Sequence, residues 1–124
     1  MFDKEETLHL LELIESTLSI IEERCRDIVT VDDFLLSDTG MVLMDSVCMK
    51  IIAVGESVKN LDKHTGENLL VNYPEIPWKN VMGTRDIIVH HYFDIDADEL
   101  FRIVKTDVPV LHATINKIIK DFRT

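Results

Sequence analysis

The chain has 124 residues, 46% of them hydrophobic and 29% charged, with four Gly and three Pro, which is the make-up of a folded domain and neither of a disordered nor of a fibrous chain. Thirteen Lys and Arg stand against 23 Asp and Glu, and the formal charge of -10 argues against an exposed basic face that grips nucleic acid nonspecifically through its phosphates. Any RNA contact must be local, and DNA is not expected as a partner. The length suits a single domain over residues 1–124.

Cys25 and Cys48 lie inside apolar helical patterns with no CxxC or Cys/His spacing. They point to neither a zinc site nor a disulfide scaffold, and to a reduced, cytoplasmic chain. The opening MFDKEETLHLL turns acidic without a basic region before an apolar run, and no stretch approaches the ~20 apolar residues of a membrane span. Neither secretion nor a membrane partner is expected.

Leu11, Ile14, Leu18, Ile21, Cys25 and Ile28 recur at alternating spacings of three and four, which predicts a long amphipathic helix. Glu5, Glu6, Glu12, Glu15, Glu22 and Glu23 form its solvated face. TVDDFLLSDTG then holds a short helical turn. From about Met41 the periodicity returns in Met44, Val47, Ile51, Val54, Val58 and Leu61, and Gly55 lets a neighbouring helix approach. The methionines at this spacing read as core filler.

KHTGENLLVNYPEIP ends the second helix, and Pro77 suits the first turn of a third, expected to run from Trp78 through Val81, Met82 and Ile88 towards His90. Asp94 to Asp98 break it. Asp96 and Glu99 have the spacing of a capping box, so a fourth helix starts near Ala97 and carries Leu100, Ile103 and Val104. Pro109 kinks it or separates it from a last helix striped by Val108, Leu111, Ile115, Ile118 and Phe122, with Lys117, Lys120 and Arg123 near its C-terminus. No strand is expected. The fold class is all-α, an up-and-down bundle of four to five helices.

The densest chemistry lies in TRDIIVHHYFDIDADE, which supplies Arg85, Asp86, His90, His91 and Tyr92 within eight positions. A calcium loop opening at Asp94, Asp96 and Asp98 fails, because its sixth position is Glu99 instead of Gly and its twelfth is Lys105 instead of Glu. A transition-metal site on His90 and His91 fails because neighbours on a helix point about 100° apart. His9, His64 and His112 are scattered, so no metal is expected.

The remaining reading sets Arg85 and His90 on a phosphodiester, the guanidinium binding nonbridging oxygens and the imidazole moving a proton near neutral pH. On one continuous helix Asp86 and His90 stack at i and i+4, whereas Arg85 and His90 diverge by about 140°. Convergence of Arg85 and His90 therefore needs a helix end, and Gly83 leaves room for close approach. From the residues alone, a salt-bridged Arg85 beside a surface histidine is the plainer alternative.

YPEIPWKNVMGTRDIIVHHYFDID, Tyr73 to Asp96, resembles the signature region of the HepT-like ribonuclease toxins of the HEPN superfamily. Pro77, Trp78, Gly83, Arg85, His90 and Tyr92 fill the family's pattern of a Pro-Trp approach, a Gly two before an Arg, and Arg-x4-His-x-Tyr. Asp86 stands where Asn is commoner, and His91 where Gly or Glu often separates His from Tyr. The resemblance implies an all-α homodimer with Arg85 and His90 lining a cleft between protomers as catalytic residues. It also implies metal-independent cleavage of RNA, transfer RNA among the candidates, without a cofactor. Asp86 is expected as an orienting carboxylate or a partner of Arg85, and His91 as an auxiliary. It further implies a nucleotidyltransferase antitoxin that silences the toxin by transferring AMP from ATP to Tyr92. The alternative from another class is a noncatalytic helical dimer that binds nucleotide or protein.

Overall fold

The computed structural model describes residues 3–91 and 94–124, with His90 and His91 described in the backbone alone. Helix α1 (Lys4–Arg24) is started by Asp3, whose Oδ1 accepts from the backbone N–H of Glu5 at 2.9 Å and of Glu6 at 3.2 Å. Its predicted stripe faces inward, with Leu11, Ile14, Leu18 and Ile21 almost wholly buried. The helix ends earlier than the stripe suggested. Cys25 and Ile28 still reach the core, but from the turn that follows.

The expected helical turn is α2 (Asp32–Leu35), which buries Phe34. Helix α3 (Asp38–His64) begins one turn before the periodic residues because Ser37 caps it, its Oγ accepting from Gly40 N–H at 2.9 Å. A 3-10 turn at Leu70–Asn72 leads into the Pro-x-x-Pro segment. Here Tyr73 donates its hydroxyl to Asp121 at 2.8 Å and accepts, through its carbonyl, the indole N–H of Trp78 at 2.8 Å. Burial, then the Asp121 hydrogen bond and charge, push the Tyr73 phenol up to about 12, so it stays a donor.

The third predicted helix is two short ones, α4 (Trp78–Met82) and α5 (Thr84–Ile88), divided at Gly83. The chain then turns into a strand, β1 (Val89–His91), paired antiparallel with β2 (Asp94–Ile95) through Val89 opposite Ile95 and His91 opposite Asp94. This corrects two expectations, a helix reaching His90 and the absence of strands. The local signal is slight: Ile87 and Ile88 stay helical, β-branched Val89 is the first residue of the strand, and its pairing with Ile95 is set by tertiary contact.

The capping box holds. Asp96 Oδ1 accepts from Glu99 N–H at 3.0 Å and starts α6 (Ala97–Arg102). A π-helical turn at Ile103–Asp107 then joins α6 to α7 (Val108–Arg123), so Pro109 falls in the first turn of α7, directly after the widened turn. The fold is all-α in its load of structure: α1 packs against both α3 and α7, and α3 also covers α4 and α5. Among the described residues no helix is long and apolar enough to cross a membrane.

A polar clasp ties α7 to α1. The ring of His112 sits between two carboxylates of α1, Nε2 2.7 Å from Glu15 and Nδ1 against Glu22. Burial alone would lower the His112 pKa, but the hydrogen bonds and charges of Glu15 and Glu22 outweigh it and raise the ring above its ordinary 6.5. A group raised in the folded state stabilises fully below its unfolded pKa and loses that contribution as pH climbs through the folded one. His112→Ala is therefore expected to cost about 1–2 kcal/mol at pH 6, with a smaller deficit at pH 9, in urea denaturation of both proteins. An equal deficit at the two pH values would mean that the ring acts by packing alone.

Candidate active site

The helix that carries Arg85 is set by a close crossing. Helix α3 passes the α4–α5 junction at Gly55, where an added Cβ would lie 2.6 Å from the Val81 carbonyl oxygen and 3.2 Å from the Thr84 hydroxyl. Thr84 is buried and turns its hydroxyl back on the Val81 carbonyl, so one carbonyl closes α4 and faces α3 together. The residue that allows the approach is thus Gly55. A Cβ on Gly83 would meet Lys79 O at 3.3 Å and Asn80 O at 4.0 Å, both of its own turn, so within the chain the close helix crossing is at Gly55 and not at Gly83.

With Thr84 and Ile88 directed inward, Arg85 and Asp86 are left exposed on the outer side of α5. The chain has five arginines. Four hold side-chain oxygens: Arg24 bonds Ser46 at 3.1 Å, Arg26 Glu23 at 3.3 Å, Arg102 Glu99 at 2.8 Å and Arg123 Glu12 at 2.7 Å. Arg85 has no side-chain partner among the described residues, and neither has Asp86. The salt-bridged surface arginine is therefore not what the fold makes, and Asp86 does not hold Arg85.

Arg85 stands at the edge of an open cleft of about 510 Å3, walled by Cys48, Met49 and Ile52 of α3, by Val89 and Ile95 of the two strands, and by Asp45. Burial, then the charge of Asp45, push the Cys48 thiol up, which leaves it an apolar wall and not a nucleophile. A second cavity, about 480 Å3, lies between α1, α3, α4 and α7 behind the π-helical turn. Its arginine, Arg102, is already bound by Glu99 at 2.8 Å and by Asp107 at 3.0 Å, so it has no free cation for a phosphate. The Arg85 cleft is the better candidate.

Because α5 ends at Ile88, the backbone of His90 belongs to β1, and the helical divergence of Arg85 and His90 does not apply. For the same reason Asp86 is not stacked under His90 by an i, i+4 relation, which corrects that expectation. The expectations for the His90 and His91 side chains and for Tyr92 lie outside the described residues. Among the described residues no group of three His, Cys, Asp or Glu is arranged to hold a metal ion. Reading the sequence missed Asp45, Met49 and Ile52 as cleft residues. The available signal was Asp45 as the one charge between Asp38 and Lys50 of α3, flanked four residues either side by Met41 and Met49.

Over residues 14–118 the chain matches the family described as Ribonuclease HepT-like. The chain belongs to that family. It is 38% identical, over 91% of its length, to the Methanocaldococcus jannaschii protein named "Gamma-glutamylcyclotransferase and putative RNase MJ0434", of which it spans 46%. It is 33% identical to "Putative RNase MJ0127" of the same organism, over 90% of this chain and 85% of that one. To "Probable ribonuclease HepT" of Thermococcus cleftensis it is 32% identical over 89% and 93% of the two chains. No solved structure gives a significant match. The HepT-like chain thus presents its unpaired arginine from the segment whose motif carries the resemblance.

The crossing at Gly55 makes a prediction with an unusual sign. In a helix interior Gly→Ala ordinarily adds about 0.5–1 kcal/mol of stability. Gly55→Ala is expected to lose about 1–3 kcal/mol instead, because the neighbouring atom that must move is a backbone carbonyl. Urea denaturation measures it, and a net gain would mean that the junction yields freely.

Proposed function

We propose that the chain is a metal-independent endoribonuclease toxin whose site is completed in a homodimer. The observation that carries this reading is the unpaired Arg85, a local positive charge in an apolar-walled cleft on a protein of charge -10, in a member of a ribonuclease family. Arg85 binds the phosphodiester and stabilises the charge that develops on it, and His90 moves the protons.

Cleavage by attack of a 2′-hydroxyl needs a base for that hydroxyl and an acid for the leaving 5′-oxygen, and one imidazole cannot be both at once. A two-fold axis supplies His90 twice. Exposed Leu36, Met41 and Val42, on α3 and just before it, supply apolar surface for a second copy, at 78%, 46% and 69% exposure. The acidity of the rest of the chain disfavours long RNA on its outer surface and favours loops or ends such as those of transfer RNA.

Regulation follows from the motif tyrosine. A nucleotidyltransferase antitoxin transfers AMP from ATP to the hydroxyl of Tyr92, with pyrophosphate leaving, and the adenylate fills the place of the RNA phosphate with bulk and negative charge. Asp86 and His91 tune the site from its edge. DNA, which lacks the 2′-hydroxyl, is not a substrate.

Purified protein in excess EDTA is expected to cut labelled total transfer RNA, with a loss of at least about 100-fold in an Arg85→Ala, His90→Ala double variant. If wild type and variant cut alike, or neither cuts, the ribonuclease reading fails and a noncatalytic binding dimer takes its place. Incubation with the nucleotidyltransferase and ATP is expected to add one AMP by intact mass and to stop cleavage. Tyr92→Phe is expected to remain unmodified and active in the same mixture, and an adenylated Tyr92→Phe protein would put the modification elsewhere.

A further inference from the structure

The Arg85 cleft contains a second charge that the ribonuclease reading leaves unused. Asp45 projects from α3 into it, exposed, and its carboxylate has no hydrogen bond or ion pair among the described residues. Arg85, at the same cleft, is equally without one. Two opposite charges thus share a cleft of about 510 Å3 and do not satisfy each other, while the walls between them are Cys48, Met49, Ile52, Val89 and Ile95.

A ligand that matches this pattern has an anion at one end, a flat apolar body, and hydrogen-bond donors at the other. A nucleotide has that form, and Met49 and Ile52 suit the face of a base. The carboxylate only accepts, so it selects among bases by their donors. Guanine presents two adjacent donors on its Watson–Crick edge, N1–H and the N2 amino group, and a carboxylate takes both. Adenine and cytosine set one amino group beside a ring-nitrogen lone pair, and uracil sets one N–H between two carbonyl oxygens, so each turns an acceptor towards Asp45.

We infer that Asp45 reads a guanine base in the cleft whose phosphate is held by Arg85. The base contact makes the chain guanine-selective, and, resting here on the ribonuclease reading, RNA is cut at phosphodiesters next to a guanosine. Asp86, on the outer side of α5 and away from the cleft walls, has no part in the base contact.

Binding is measured by titrating the purified chain with 3′-GMP, 3′-AMP, 3′-CMP and 3′-UMP, for wild type, Asp45→Asn and Asp45→Ala, with far-UV circular dichroism to show that the exposed substitutions leave the helices intact. Wild type is expected to bind 3′-GMP roughly tenfold or more tighter than the other three, the scale of one bidentate base contact. Both variants lose that preference and keep the weak affinity for 3′-UMP. Equal binding of the four nucleotides by wild type, or a guanine preference that survives in Asp45→Asn, overturns the inference. Sequencing of cleavage ends separates it from the reading on which it rests. Ends clustered at guanosine in wild type and scattered in Asp45→Asn support both. A guanine preference in binding with no cleavage upholds Asp45 and removes the ribonuclease. Cleavage at all four bases alike, abolished by Arg85→Ala, keeps the ribonuclease and removes Asp45.

Discussion

Everything about the candidate site depends on how closely α3 passes the joint between α4 and α5. The Val81 carbonyl and the Thr84 side chain occupy the space where a Cβ of Gly55 would stand, at 2.6 and 3.2 Å. That contact fixes which side of α5 is inside. Ile88 goes to the core with Thr84, and Arg85, next in the chain to Thr84, has no route inward. A looser crossing would let α5 rotate, and rotation by one residue, about 100°, would carry the guanidinium off the cleft.

The net acidity of the chain has a structural use that also isolates the site. Its carboxylates are partners for several of its cations: Glu12 takes Arg123, Glu15 and Glu22 take His112, Glu75 faces Lys117 at 3.7 Å, and Glu99 with Asp107 takes Arg102. These pairs lie where α1, α6 and α7 meet solvent and one another. They add little apiece at the surface, but they consume positive charge there. Arg85 is on the far side of that arrangement, facing α3 and the two short strands, and it is the arginine left free among the described residues. Among the described arginines a phosphate thus meets one that is free, and it stands at a cleft.

Long elements were legible in the sequence because burial and period agree in them. The stripe from Leu11 to Ile21 and the stripe from Met44 to Leu61 are the buried faces of α1 and α3, and Asp96 with Glu99 caps α6 as its spacing implied. The segment from Trp78 to His90 was legible as chemistry and not as shape. Its apolar residues fit a helix as far as Ile88, and nothing in that period reveals that Gly83 divides it or that the next residues pair with Asp94 and Ile95. A two-residue strand carries almost no pattern of its own, and its partner is chosen by tertiary contact. Asp45 carried little signal for a related reason: it is an exposed charge on α3, and only the position of Val89 and Ile95 opposite makes that side a cleft.

The segment that bears the motif is held at both ends by one residue. The backbone N–H of Asp96 donates to the Ile88 carbonyl at 2.8 Å, while its carboxylate accepts from Glu99 and starts α6. The last carbonyl of α5 therefore finds its donor in the cap of the next helix, so that carbonyl is paired although α5 ends without a C-terminal glycine. The chain between them leaves and returns at a fixed separation. Val89 then lies opposite Ile95 and the backbone of His91 opposite Asp94, directly after the helix that carries Arg85. A helix continued to His90 would have turned the histidine about 140° from the arginine. Ending the helix at Ile88 removes that constraint, and the hydrogen bond from Asp96 is what makes the ending cheap.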